Sequence, residues 1–353
     1  MKIKLLILAI LFIMWMLSDR KDRRGTSLAI GTGILYAWMI CGGLSAYSLG
    51  TEEIFWGRVL SLMVTTFIYI AALLLLKRII RKKFSSRMLL DLWTSLAVVS
   101  IGLARIFSED SLVWKDALIQ IEIPKQILLV IGIVWAIGAI ANILIVFLRH
   151  KAFYDELRDG SIEILDKDLD ISRALRNVQS EIGEGPNVKL AFSPKIESPI
   201  TVGLLEECIF IPQREYTEKE LEWILRHELV HTASRDNIKK FLIMAFCATF
   251  WFIPFIKKSA RFVAEEIEVA CDEQVLRIAN GLDKREYINL IMNDYGENRG
   301  FATCLSASGE GIKYRIEKIL NPQEGKRFLD TVAILFGLAF LTLTIGMVQF
   351  VAI

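Results

Sequence analysis

His227, Glu228 and His231 stand in the order His-Glu-x-x-His. On a helix, four residues make about one turn, so both imidazoles leave the same face and can grip one metal ion. Glu228 sits beside them, placed to take a proton from water that the metal has acidified. A catalytic zinc site of this kind has three protein ligands and an open fourth position, and its usual work is hydrolysis of a peptide carbonyl. Chance alone produces the pattern in roughly one chain of this length in a hundred. The chain contains 3 histidines, and two of them are these. The third, His150, ends an apolar run and reads as an interfacial residue rather than a ligand.

A third ligand has to come from elsewhere. The extended pattern, with a glycine and a third histidine downstream, fails because Ser234 and Asn237 stand at those positions. With no spare histidine, a carboxylate is expected. Ala264–Glu273 offers Glu265, Glu266, Glu268 and Glu273, and only Glu268 has an aspartate four residues on, Asp272, on the same helical face. That pair reads as a metal ligand plus an outer acid that orients a histidine by accepting its free N–H. The other three glutamates read as a solvated acidic face. Asp236, five residues after His231, reads equally as a second outer acid or as an ordinary capping residue. Cys41, Cys208, Cys247, Cys271 and Cys304 have no CxxC pairing and no regular spacing, which fits a reduced compartment and small buried hydrophobes.

The elements that must position these groups are legible. Thr217-Glu-Lys-Glu220 is a capping box that launches a helix carrying Leu221, Ile224, Leu225, Leu229 and Val230. A second helix begins near Ser259, runs past Leu276 and stops by Gly281. Before them, Asn187–Ser193, Ile200–Gly203 and Cys208–Pro212 read as short strands, preceded by a turn cluster at Gly183–Pro186.

The rest of the chain is apolar. Of 353 residues 54% are hydrophobic, and the mean hydropathy is +0.44. The excess lies in runs, at 4–18, 28–49, 58–77, 89–107, 126–148 and 329–352, which read as six membrane spans. The first is expected to be a retained anchor, because it lacks a small-residue cleavage site and is followed by Asp19–Arg24. A net charge of +2 carries no nucleic-acid footprint. Lys and Arg crowd the connections Arg20–Arg24 and Lys77–Arg87, whereas Thr51–Trp56 and Glu109–Glu122 are acidic. The positive-inside rule then puts the N-terminus outside and residues 149–328 in the cytoplasm. The expected organisation is a membrane domain of about five spans over 1–148, a cytoplasmic α+β metallopeptidase over 149–328, and a C-terminal transmembrane helix over 329–353. Phe241–Ile256 is a further apolar run between the two site helices. A single crossing there would put Glu268 across the bilayer from His227 and His231, so a re-entrant or interfacial hairpin is expected.

Ser198-Pro-Ile-Thr-Val-Gly203, Ile209-Phe-Ile-Pro212, His227–His231 running on to Arg235-Asp236, the Trp251–Pro254 segment and Glu268-Val-Ala-Cys-Asp272 together resemble the BlaR/MecR-type membrane metallopeptidases, the antirepressor family of bacterial β-lactam sensing. The resemblance covers about residues 60–352. It implies a gluzincin-type site on a multi-span α-helical bundle in the bacterial plasma membrane. It implies one Zn²⁺ per chain, held by His227, His231 and Glu268, with Glu228 as the base. It implies a protein substrate, either the chain itself or a cytoplasmic winged-helix transcriptional repressor; the lipid bilayer is the other partner, direct contact with nucleic acid is not expected, and a homodimer stays open. The sensor members carry an extracellular penicillin-binding domain after the last span, whereas this sequence ends at Ile353, so a relative lacking that sensor is expected. Trp251-Phe-Ile-Pro254 lacks the asparagine often found before its proline. The rivals are a CAAX-protease or heat-shock-type membrane gluzincin and a non-enzymatic receptor stabilised by the metal. The first usually has an Asn-Ala-Phe-Ala-like strand where this chain has Ser-Pro-Ile-Thr-Val-Gly, and the second has no use for Glu228. A transporter fits least, since no expected span carries an acidic residue near its middle.

Overall fold

A computed structural model of the chain describes residues 52–86, 89–90, 119–164, 169–182, 188–204, 206–279, 283–293, 309–322 and 348–352. In chain order the elements are α1 (Glu52–Lys83), β1 (Ile119–Ile123), α2 (Lys125–Arg158), β2 (Ile162–Glu163), α3 (Leu169–Ile182), β3 (Lys189–Ser193), β4 (Ile200–Val202), β5 (Cys208–Pro212), α4 (Glu218–Ala233), α5 (Asp236–Thr249), α6 (Ile256–Ile278), α7 (Lys284–Asn293), α8 (Gly309–Leu320) and β6 (Val348–Ala352). They fall into two compact units, one of Leu144–Ile243 with Ala260–Gln323, the other of Met1–Ile143, Met244–Ser259 and Glu324–Ile353. The 149–328 segment of the sequence reading is thus interrupted at Met244–Ser259.

The first of these units is built on a sheet in the order β2-β3-β5-β4, with β3 and β5 parallel and both outer pairings antiparallel. Alternation along the strands sends Leu190, Ile209 and Ile211 to one face, against Ile171, Ala174 and Val178 of α3 and Leu221, Leu225 and Leu229 of α4. Ala191, Ile200, Val202, Cys208 and Phe210 go to the other, against Phe153, Tyr154 and Leu157 at the end of α2. β5 is buried along its whole length because both its faces are covered. Each fully buried Ile or Leu here contributes roughly 1.5–3 kcal/mol of transfer free energy. Gly203, at φ +121°, ends β4 where a Cβ would run into the Glu206 carbonyl oxygen.

α4 is the central element. Thr217 caps it, its hydroxyl accepting from Glu220 N at 3.3 Å. Glu220 turns its carboxylate to Arg214 Nη2 at 2.7 Å instead of back to the cap, so the expected box forms only by its threonine half. The face of α4 away from the sheet puts Trp223 and Val230 against Cys271 and Val275 of α6, Tyr287 and Ile291 of α7, and Ile319 of α8. The helix breaks at Arg235, a non-glycine residue at φ 55°, and α5 starts on the next residue.

In the other unit, α2 is the one helix among the described residues long and apolar enough to cross a membrane. Its 34 residues reach about 51 Å at 1.5 Å per residue, well beyond the expected span of 126–148. α1 likewise overruns 58–77 at both ends. The charged residues flanking these apolar runs, Glu52 and Glu53 before that of α1 and Lys and Arg after both, are good helix formers, so the backbone continues where the hydropathy stops. Phe241–Ile256 does reverse: α5 ends at Thr249, residues 250–255 turn, and α6 leads back. The turn is seated on α2, where Trp135 Nε1 donates to Thr249 O at 2.9 Å. Gly138 lies beneath the Trp251 indole, where an added Cβ would be 2.5 Å from Nε1. Val348–Ala352, expected at the end of a transmembrane helix, is instead a strand pairing in parallel with Ile119–Ile123. The β-branched and aromatic residues of Val348-Gln-Phe-Val-Ala suit a strand. The expected spans at 4–18 and 28–49, nearly all of 89–107, and residues 329–347 lie outside the described residues.

Candidate metal centre

One turn of α4 brings His227 Nε2 and His231 Nε2 to 3.1 Å from each other. Glu268 on α6 aims Oε2 at both, 3.7 Å from His227 Nε2 and 3.6 Å from His231 Nε2. Which of these atoms carries hydrogen follows from what the far sides of the rings touch. His231 Nδ1 lies 2.7 Å from Asp236 Oδ2. Burial pushes that aspartate up, but Lys239 and His231 hold it down to about 2. It is therefore a carboxylate that only accepts, and Nδ1 of His231 carries the hydrogen. His227 Nδ1 lies 2.7 Å from Tyr287 Oη. That hydroxyl donates its one hydrogen to Asp272 Oδ1 at 2.6 Å. Burial and the adjacent Asp272 hold the phenol well above its usual range, so it keeps this hydrogen. The tyrosine oxygen accepts from His227, whose Nδ1 also carries hydrogen.

With the Nε2 protons given up to a metal, three lone pairs would converge here. Ligand atoms on a tetrahedral zinc, with bonds of about 2.0–2.1 Å, sit roughly 3.4 Å apart, and the three separations here bracket that value. The electrostatics favour a cation too. Burial pulls His227 down, yet Cys271 and Glu268 together raise it to about 10. Burial also opposes His231, which Cys271 and Glu268 still raise well above the ordinary imidazole. Burial pushes Glu268 up, and Lys240 with the two histidines takes it well below the usual carboxylate range. Lys240 Nζ donates to Glu268 Oε1 at 2.9 Å, and Oε2, which Arg315 Nη1 approaches at 3.4 Å, is the oxygen on the histidine side. The residues present fit a divalent cation.

Cys271 offers a second grouping, since its sulfur and one nitrogen from each histidine lie within 4.8 Å of one another. Its Sγ is 3.6 Å from His227 Nδ1 and 3.6 Å from the His227 carbonyl oxygen. It therefore flanks the hydrogen-bearing side of the ring, whereas Glu268 Oε2 faces both bare nitrogens, and Glu268 is the better third donor. Cys271 is buried, as its sequence suggested, but it is a neighbour of the site and not simply core. Glu265 and Glu266 are buried rather than solvated. Glu266 Oε2 accepts from Tyr314 Oη at 3.2 Å, so at these two positions the expected acidic face is turned inward, while Glu273 is half-buried.

Glu228 is buried beside the pair, and its Oε2 accepts from Thr201 Oγ1 of β4 at 2.6 Å. Asp272 does not meet a histidine directly: its Oδ1 is 3.7 Å from His227 Nδ1, with the tyrosine hydroxyl interposed. Arg315 of α8 donates Nε to Asp272 Oδ2 and Nη2 to Oδ1, both at 2.8 Å. Its Nη1 is 3.4 Å from Glu268 Oε2. Thr201, Lys240, Tyr287 and Arg315 were not singled out as site residues by the sequence, and only Thr201 lay within a quoted motif.

A family model described as BlaR1 peptidase M56 matches residues 110–319. The methicillin resistance mecR1 protein of Staphylococcus aureus is 28% identical over 199 residues, 54% of this chain and 31% of that protein. The regulatory protein BlaR1 of Bacillus licheniformis is 26% identical over 209 residues, 56% of this chain and 33% of that protein. The regulatory protein BlaR1 of Staphylococcus aureus is 24% identical over 168 residues, 46% and 29% respectively. The chain thus matches about a third of the length of these curated relatives.

Proposed function

The chain belongs to the BlaR1 peptidase M56 family, and from that membership we propose that it is an integral-membrane, zinc-dependent endopeptidase engaged in regulatory proteolysis. The observation that carries the reading is the convergence of two bare Nε2 atoms and one carboxylate oxygen beside a glutamate that is not among them. His227, His231 and Glu268 would hold the metal. Bound zinc supplies a Lewis acid that brings the pKa of water to about 7 and polarises the scissile carbonyl. Glu228 takes the proton from the attacking water and passes it to the leaving amine. Thr201 occupies Oε2 of that carboxylate, so Oε1 is the oxygen that exchanges the proton. Asp236 orients His231, and Lys240 and Arg315 balance the charge of Glu268.

β4 stands last in the sheet order, and its Thr201 touches the base. A substrate strand added along β4 brings its carbonyl to Glu228, with the main chain supplying the affinity. The membrane reading is a multi-pass bundle with the gluzincin-type domain in the cytoplasm, supported by α2 and by the charge asymmetry of the connections. The substrate class is a cytoplasmic winged-helix repressor or the chain itself, supported by the likeness to regulatory relatives.

Purified protein is expected to carry about one equivalent of zinc. Glu228→Gln is expected to retain the metal and lose proteolysis by about a thousandfold or more, since a base and not a ligand is removed. Glu268→Ala is expected to lose the metal. Zinc retained in Glu268→Ala, by metal analysis after dialysis against chelator, would move the third ligand to Cys271, and full cleavage by Glu228→Gln would sink the mechanism.

A further inference from the structure

We propose that Tyr287 is a positioning residue for this metal site: its hydroxyl, pinned by Asp272 and Arg315, fixes His227 with hydrogen on Nδ1 and the Nε2 lone pair toward the metal. The proposal rests on the zinc reading above and goes beyond it, because α7 and α8 carry none of the zinc motifs.

The two imidazoles are held by different devices. His231 donates straight to a carboxylate, Asp236, at 2.7 Å. For His227 the nearest carboxylate is 3.7 Å away, too far for a hydrogen bond. The other polar neighbour of its Nδ1 is the Cys271 thiol at 3.6 Å, a weak partner that also approaches the backbone carbonyl of His227. The phenol at 2.7 Å is what bridges the gap.

Tyr287 is itself fixed. The residue is 1% exposed, and its ring stacks on Trp223 with centroids 5.0 Å apart and planes 27° from parallel. Its hydrogen is committed to Asp272, which the fork of Arg315 grips at both oxygens. The hydroxyl therefore faces His227 as an acceptor. A ring with hydrogen on Nε2 would present a bare Nδ1 that finds no donor at Tyr287, and would turn its own donor toward the metal position. Removing the hydroxyl frees His227 to take that form, so the cost falls on the metal.

The experiment measures Zn²⁺ affinity of the purified full chain by chelator competition, the visible spectrum after Co²⁺ loading, and the melting temperature of the metal-free protein. Tyr287→Phe keeps the stack on Trp223 and loses only the hydroxyl. The expected result is affinity weakened by about 10- to 100-fold, the range seen when an outer partner of a ligating histidine is removed, with an altered Co²⁺ spectrum and a parent-like metal-free melting temperature. Parent-like affinity and spectrum, or a loss confined to the metal-free melting temperature, overturns the proposal. If Tyr287→Phe does not fold, Arg315→Lys decides, since it keeps the charge but breaks the fork: weakened affinity supports the proposal and parent-like affinity overturns it. A parent chain that binds no metal fails the zinc reading itself, which tells the two failures apart.

Discussion

Glu207, just before β5, has a buried carboxylate whose Oε2 has no hydrogen-bond donor among the described residues. Its nearest cation is Arg235, at 3.8 Å. Burial raises it to about 7 from an ordinary 4.5, with Arg235 and Asn237 only partly offsetting the effect. The unfolded chain releases this proton near pH 4.5 and the folded chain near 7. The stability contributed by the protonated form is therefore complete below about 4.5 and lost as the pH climbs through 7. Glu207→Gln removes the titration. Its melting temperature is expected to match the parent at pH 4.5 and exceed it by a few degrees at pH 8. Parallel curves across that range would show that the carboxylate is solvated after all. At this scale the sequence revealed what local spacing can reveal. The His-Glu-x-x-His turn and the four-residue step from Glu268 to Asp272 are both helical periodicities, and the structure places these residues together. Tyr287 and Arg315 reach Asp272 from 15 and 43 residues away, and no periodicity links residues on separate helices. Asp272 was expected to meet a histidine because two elements alone offer no reason to interpose a third.

Among elements, the strands and site helices formed nearly where alternation and capping put them, since each buries a face that its own sequence marks. The apolar runs were legible as apolar, but not as to where their helices stop, because flanking Glu, Lys and Arg residues continue α1 and α2. β6 was missed for a different reason: five residues cannot tell a strand from a helix end until the partner strand, more than two hundred residues away, is known. α2 also carries a direct test. Ile137, near its middle, is 64% exposed, and Val130, Ile140 and Leu144 are exposed around it. Ile137→Lys is expected to cost about 2.5–3.5 kcal/mol of insertion free energy, a drop of roughly a hundredfold in the ratio of inserted to uninserted chain. An insertion assay with glycosylation acceptor sites on either side of α2 reads this, and unchanged insertion would mean that α2 does not face lipid.

At the scale of the whole molecule, the sidedness read from the sequence can be tested directly. From the charge asymmetry of the connections, the loop before α2 is expected outside and residues 149–328 inside. Glu122 and Lys284 are both exposed, which makes them usable markers. With an impermeant maleimide on sealed cells, Glu122→Cys is expected to label above the parent chain, and Lys284→Cys only after permeabilisation. The reverse pattern would invert the topology.

The Arg315 fork has a consequence for how the protein is made. Ribosomes deliver the chain from its N-terminus, so the histidines emerge first, Glu268 and Asp272 about forty residues later, and Arg315 some forty later again. Until α8 arrives, two carboxylates packed beside each other lack the guanidinium that both of them contact, and burying unbalanced charge is costly. Closure of the centre is thereby timed to the end of synthesis of its own unit. An incomplete chain thus holds the histidines and carboxylates of the candidate centre without the residue that ties Glu268 to Asp272.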